Sequence, residues 1–160
     1  MAPVVQARVK LEINTREHFA VHGFATRSLE VENRWFSGAA EIATYTMPEL
    51  LGTKLRALYQ RKKGRDLLDL DLALDHPEFD ADLLLEAFGE YMTFGGTPVT
   101  RAQFEANMTA KIIDAAFVTD VPPLLRTGLD HEPAEAWSRV HAAPVSRLPG
   151  DPWKGAGDAE

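Results

Sequence analysis

A basic stretch in the middle of the chain is the part of the sequence best suited to binding phosphate. It contains six cationic side chains with no acidic residue among them: Lys54, Arg56, Arg61, Lys62, Lys63 and Arg65. Because Lys54 and Arg61 are seven positions apart, a helix would carry both on one face. Lysine offers a compact charge and arginine a flat, two-pronged donor, so the set suits a polyphosphate.

Two aspartates extend this stretch. Asp66 and Asp69 are three positions apart, which places them on one face of a following helix. A plainer interpretation stays open, because basic residues often complement the dipole at a helix C-terminus and acidic residues the one at an N-terminus. Arg65 and Asp69 would also form an ordinary salt bridge at i, i+4.

The other candidate groups are weaker. Glu12 lies on the polar side of an alternating segment, where a carboxylate is usually solvated unless other carboxylates lie beside it. His18 and His22 have no evident third ligand, and the chain has no cysteine, so a zinc site is not predicted.

The elements that would position these groups change character at Thr46. Residues 9–14, 28–32 and 39–45 have the pattern of short strands, with a turn predicted at Gly38. Helical spacing of apolar residues follows. The predicted helices cover about 46–63, 65–75, 80–91, 100–113 and 133–141, with capping boxes at Thr46/Glu49 and Thr100/Gln103, a cap at Asp80 and a break at Gly64. Strands followed by helices predict an α+β fold that begins with a partial antiparallel sheet.

The composition is that of an ordinary globular protein. The net charge of −7 argues against a general nucleic-acid coat protein but leaves room for a local basic site. No apolar run is long enough to span a bilayer, and no signal core precedes residue 10. We therefore expect a cytoplasmic protein that does not associate with a membrane.

Three segments carry a resemblance to a known family. Residues 10–17 (KLEINTRE), 31–38 (VENRWFSG) and 50–70 (LLGTKLRALYQRKKGRDLLDL) resemble the AbiEii/AbiGii toxin family of nucleotidyltransferases, within a similarity covering residues 8 to about 153. The resemblance implies a polymerase-β-like palm followed by a helical domain. It also implies a role in abortive infection or type IV toxin–antitoxin systems, and transfer of a nucleotide from an NTP to an acceptor such as tRNA.

The resemblance also assigns roles. Lys54 matches the lysine that holds the triphosphate, and Arg65, Asp66 and Asp69 match an R-D-x-x-D motif. Nucleotide binding is thus expected of Lys54, Arg61 and Arg65, and catalytic roles of Glu12, Asp66 and Asp69. Glu12 resembles a palm carboxylate and is the expected ligand of Mg²⁺.

One family feature has no counterpart before Glu12. The family begins with a glycine-rich turn and a strand bearing Asp-x-Asp, so we expect that either the gene is truncated, its start codon is misassigned, the chain has been trimmed, or a second polypeptide supplies the missing strands. The isolated chain is therefore expected to be inactive or incomplete. The expected divisions are partial palm strands at 1–45, a helical domain at 46–149 and a flexible tail at 150–160. An unfilled sheet edge predicts self-association or a strand-completing partner. The alternative is a non-catalytic module that binds an antitoxin or RNA, and a purely structural domain is a third possibility.

Overall fold

A two-stranded sheet followed by helices makes up the described part of the chain. The computed structural model describes residues 18–126 and 130–155. The predicted α+β fold is confirmed within these ranges. The strand predicted at residues 9–14, and Glu12 with it, lies outside the described residues.

The two strands form an antiparallel hairpin. Strand β1 (Phe24–Glu32) pairs with β2 (Ser37–Tyr45) along its whole length. Asn33 builds the turn, because its side-chain oxygen accepts hydrogen bonds from the backbone N–H groups of Trp35 and Phe36 at 2.9 and 3.0 Å. The prediction of a turn at Gly38 is wrong, since Gly38 lies within β2 opposite Val31. Asn33 takes the turn position because its amide can satisfy two backbone donors locally.

The helices follow without further strands in the described ranges. They are α1 (Met47–Gln60), α2 (Gly64–Ala73), α3 (Ala81–Phe94), α4 (Arg101–Lys111), the short α5 (Ala115–Val118) and α6 (Pro133–Ala142). Two predicted starts are confirmed: the Asp80 carboxylate caps α3, and Thr100 and Gln103 form a reciprocal capping box on α4. None of the described helices has the length and hydropathy needed to cross a membrane.

The capping box predicted at the start of α1 is wrong. Thr46 makes no side-chain cap, and Glu49 is fully buried instead of reaching back to it. The Glu49 carboxylate accepts hydrogen bonds from the Tyr91 hydroxyl at 2.5 Å and from the His22 backbone N–H at 2.7 Å. Burial, followed by the contact with Glu49, raises the pKa of Tyr91 well above its usual range. Glu49 therefore joins α1 to α3 and to the segment before β1.

A buried ion cluster attaches the C-terminal segment to α4. The Glu105 carboxylate lies 2.7 Å from Arg101 Nε, from His141 Nε2 and from the backbone nitrogen of Trp153. Burial raises the pKa of Glu105, but the hydrogen bonds from Arg101, His141 and Trp153 outweigh this effect and bring it to about 2. The cluster thus holds residues that follow α6 against the helical core.

This depressed pKa predicts a loss of stability in acid. A carboxyl group with a lower pKa in the folded state stabilises the fold above its unfolded value of about 4.5, and this contribution disappears as the pH falls toward 2. In Glu105→Gln the melting temperature should therefore depend less on pH between 4.5 and 2 than in the parent chain. The exposed Glu90→Gln serves as the control and should follow the parent curve. Equal slopes for the parent chain and Glu105→Gln would contradict this prediction.

Candidate nucleotide-binding site

Two ion pairs connect α1 and α2 on the surface that carries the basic stretch. Lys54 Nζ lies 2.6 Å from Asp69 Oδ2, and both side chains are partly exposed. The simple i, i+4 salt bridge between Arg65 and Asp69 is replaced by this inter-helix pair. Because Gln60 ends α1 and Gly64 begins α2, the chain reverses over three residues and brings the two helices side by side.

The second pair lies at the turn itself. Arg61 Nε and Nη2 donate to the two carboxylate oxygens of Asp66 at 2.7 and 2.6 Å. Asp66 is fully buried, whereas the Arg61 side chain is 55% exposed. The hydrogen-bonded Asp66 carboxylate raises the pKa of Arg61, so the guanidinium stays charged. Both oxygens of Asp66 are thus occupied by a cation that faces solvent.

Two further aspartates, which the sequence did not indicate, pair with the cations of the basic stretch. Asp120 accepts from Arg65 Nε and Nη2 at 2.9 and 2.7 Å and from Lys63 Nζ at 3.4 Å. These contacts, led by the one with Arg65, hold the pKa of Asp120 well below its usual range. Asp114 accepts from Lys62 Nζ at 3.0 Å. Asp114 was recognisable as the cap of α5, but no local signal indicates that it meets Lys62.

We call this group the turn cluster: the cations Lys54, Arg61, Lys62, Lys63 and Arg65 with the carboxylates Asp66, Asp69, Asp114 and Asp120. Five cations against four carboxylates leave one positive charge in excess. In the Lys54–Asp69 and Lys62–Asp114 pairs both side chains are partly exposed. Such pairs contribute little free energy, so an incoming phosphate can displace the carboxylate from its lysine. The sixth predicted cation, Arg56, lies elsewhere, with its guanidinium 4.8 Å from the centre of the Tyr91 ring.

The charges of the turn cluster suit the binding of phosphate. Residues 18–126 and 130–155 contain no group of three or more histidine and acidic side chains arranged to hold a metal ion. Asp66 and Asp69 are both engaged with cations. The predicted metal ligand, Glu12, lies outside the described residues, so its role stays a prediction.

The comparison with protein families decides the identity. The family model of the nucleotidyl transferase AbiEii toxin of type IV toxin–antitoxin systems matches residues 2–143. The chain belongs to this AbiEii family. The resemblance seen in the sequence is confirmed, and the matched range includes the whole turn cluster. No curated protein and no solved structure matches the chain.

Membership in the AbiEii family sets the class of chemistry. Its members are nucleotidyltransferase toxins, which in general use an NTP and a divalent metal and act within toxin–antitoxin pairs. In such a reaction an acceptor oxygen attacks a phosphate of the NTP and a negatively charged leaving group departs. Cations at fixed positions around the phosphates stabilise that developing charge.

Proposed function

We propose that this AbiEii homologue binds the triphosphate of an NTP at the turn cluster, for transfer of a nucleotide to an acceptor such as tRNA. The geometry of Arg61 is the main support for this proposal. Its side chain is half exposed, yet two hydrogen bonds to the buried Asp66 carboxylate fix its guanidinium. A cation held in this way loses little freedom when it binds phosphate.

The cluster suggests a role for each residue. Lys54 leaves Asp69 to contact a phosphate oxygen, and Arg65 adds a second fork that Asp120 orients. Asp66 acts through Arg61, since both of its oxygens already bind that guanidinium. Asp69, which is partly exposed, is the carboxylate best placed to meet substrate once Lys54 moves.

A divalent ion, proposed to be Mg²⁺, would supply charge neutralisation and activation of the acceptor hydroxyl. The described residues provide no complete set of ligands for it, and Glu12 is the ligand that we propose from the sequence. A magnesium ion prefers octahedral oxygen ligands and is usually held by one or two carboxylates together with phosphates. We therefore expect NTP binding by the 160-residue chain, with little or no transfer.

Labelled NTPs, Mg²⁺ and total tRNA test this proposal. The chain should retain labelled NTP on a filter but label little tRNA. Retention should fall in Lys54→Ala but not in Asp69→Ala, because Asp69 competes with phosphate for Lys54. Arg27→Ala is the control, because Arg27 is an exposed cation on β1 that is paired with Glu78 and lies outside the turn cluster. Rapid Mg²⁺-dependent labelling of tRNA by the pure chain would contradict the expected inactivity. Failure to retain any NTP would contradict nucleotide binding.

The hairpin favours the second candidate function, a non-catalytic interaction module that binds an antitoxin or RNA. Leu29, Val31, Ala40 and Ile42 share one face of the sheet, and the large side chains among them are substantially exposed. Within the described residues no further strand pairs with either edge. Such a surface suits a partner that adds strands, or a second copy of the chain.

Self-association through the hairpin is directly testable. Ile42→Lys places a second cation on this face of the hairpin, opposite Arg27, and should lower the average mass seen in sedimentation at high protein concentration. Leu72→Lys is the matched control, because Leu72 is an exposed apolar residue on α2, away from the hairpin. A parent chain that remains monomeric would rule out self-association, and an equal effect of Leu72→Lys would show that the hairpin is not the contact.

The domain division and the cellular location also belong to this proposal. We propose that the strands up to residue 45 are part of the palm, that residues 46–149 form the helical domain, and that 150–160 are an appended tail. NTPs and tRNA are cytoplasmic, so the proposed substrates favour a cytoplasmic location.

A further inference from the structure

Lys111, the last residue of α4, is a buried cation that no sequence motif indicated. Only 6% of it is exposed. Its ammonium donates hydrogen bonds to the backbone carbonyls of Leu58 and, at 2.7 Å, Tyr59. These carbonyls belong to the last turn of α1, where carbonyl groups lack partners within the helix. Lys111 therefore caps α1 from more than fifty residues away, with a charge that suits the negative end of the helix dipole.

Capping a helix with a buried ammonium costs the free energy of removing that charge from water. Burial lowers the pKa of Lys111 to about 8, with the Asp66 charge acting in the opposite direction and Lys62 adding to the lowering. An apolar side chain would avoid this loss of hydration, but it would leave the Leu58 and Tyr59 carbonyls without their donor.

The end of α1 that Lys111 caps is followed directly by residues of the turn cluster. Arg61 follows the capped turn, and its backbone N–H donates to Ala57 in that same turn at 2.9 Å. The Arg61 side chain then reaches Asp66, and Lys62 reaches Asp114, which lies just after α4. Lys111 thus restrains the backbone just before the turn, and Asp66 and Asp114 restrain the side chains of Arg61 and Lys62.

We propose that Lys111 is a positioning residue for phosphate binding: its ammonium fixes the end of α1 so that Arg61 and Lys62 meet a polyphosphate in one arrangement. The inference rests on the proposed function, because it concerns how the turn cluster is organised for that ligand. Without Lys111 two carbonyls lose their donor and the last turn of α1 loosens. Arg61 and Lys62 must then be ordered by the ligand, which weakens binding.

The test compares two substitutions in α4 with inorganic tripolyphosphate as the probe. Lys111→Met removes the cap, and Met108→Ala removes fully buried core volume one turn earlier in the same helix. Both variants should be less stable, and both are titrated calorimetrically under conditions where they are folded. Lys111→Met should weaken the affinity about tenfold, the loss expected when fixed cations become mobile. Met108→Ala should stay within about twofold, because it leaves the cap intact. Equal effects of the two variants would overturn the inference.

A second readout separates this inference from the proposed function. The NMR signal of the Arg61 Nε–H group reports its hydrogen bond to Asp66 and needs no ligand. The signal should broaden in Lys111→Met and persist in Met108→Ala. If the parent chain does not bind tripolyphosphate, nucleotide binding fails, and this signal alone decides the positioning role. If Arg61→Ala weakens binding while Lys111→Met alters neither affinity nor signal, the function stands and the inference is overturned.

Lys111→Gln keeps the test decisive should Lys111→Met not fold. Its amide retains a donor for the carbonyls but lacks the charge. We expect an affinity between those of the parent chain and Lys111→Met, with a partly broadened Arg61 signal. Parent-like values for both would overturn the inference.

Discussion

Replacing Asp66 with asparagine is expected to lower the free energy of unfolding by about 3 kcal/mol at pH 7, the lower end of the range for breaking a buried ion pair. The substitution keeps the side-chain shape but removes a fully buried negative charge. Two cations interact with that charge. Arg61 donates two hydrogen bonds to the carboxylate, and the charge opposes the lowering of the pKa of Lys111 that burial causes. Because Arg61 is half exposed and recovers some hydration, the cost stays near the lower end.

Urea denaturation at two pH values checks this prediction. Burial brings the pKa of Lys111 to about 8, so Lys111 is charged at pH 7 and largely neutral at pH 9.5. The contribution from its attraction to Asp66 is therefore present at pH 7 and absent at pH 9.5, and Asp66→Asn should cost less at the higher pH. The control is Asp69→Asn, one turn further along α2 and partly exposed, which should cost below about 1 kcal/mol. A loss for Asp66→Asn as small as that of Asp69→Asn would contradict the expectation.

Replacing Gly64 with alanine is expected to lower the free energy of unfolding by about 2 kcal/mol, a typical cost of forcing extra volume into a packed interior. A Cβ atom at Gly64 would lie 2.3 Å from the backbone carbonyl oxygen of Phe117. Because the obstruction is backbone, α2 and α5 must separate to relieve it. This movement also draws Arg65, the next residue, away from Asp120, so polyphosphate affinity should fall as well.

Gly89→Ala is the matched control for Gly64→Ala. Gly89 lies in α3, and apart from its two chain neighbours and the backbone of its own helix no atom lies within 4 Å of the position that its Cβ would take. Alanine favours helix over glycine by up to about 1 kcal/mol, so this variant should be unchanged or more stable. Thermal and urea unfolding of both variants decide the matter. A Gly64→Ala chain as stable as the parent would contradict the close contact with Phe117.

The local features of the fold were predictable from the sequence, and the long-range ones were not. The box of Thr100 and Gln103 forms as predicted because both partners lie within one turn. The identical pattern at Thr46 and Glu49 fails, because Tyr91 and the His22 backbone offer Glu49 buried partners that no local pattern reveals. In both cases the capping rule is sound, and tertiary contacts decide whether it applies.

In the site, too, the features set by local sequence were predictable, and the long-range contacts were not. The cations of the basic stretch are visible in the sequence. The single helix face predicted for Lys54 and Arg61 is wrong, because α1 ends at Gln60 and the Arg61 backbone is extended. Two of the cations' partners, Asp114 and Asp120, could not be predicted, because they come from a segment about fifty residues further along.

Helical spacing predicted a salt bridge between Arg65 and Asp69. Instead, Asp120 accepts two hydrogen bonds from the Arg65 guanidinium and a third from the Arg65 backbone N–H. That geometry outweighs a single contact between exposed side chains.

Calorimetric titration with an NTP and with the matching nucleoside monophosphate, in the presence of Mg²⁺, tests most directly whether the turn cluster binds a triphosphate. The parent chain should bind the NTP more tightly, because Lys54 and Arg61 engage phosphates that the monophosphate lacks. The double variant Lys54→Ala/Arg61→Ala should lose at least about tenfold in NTP affinity, and with it the preference, since each charge-assisted phosphate contact contributes roughly 1.5–3 kcal/mol. Arg27→Ala, which removes a cation of almost the same exposure as Arg61, should bind like the parent chain. Unchanged NTP affinity in the double variant, or an equal loss in Arg27→Ala, would contradict the claim.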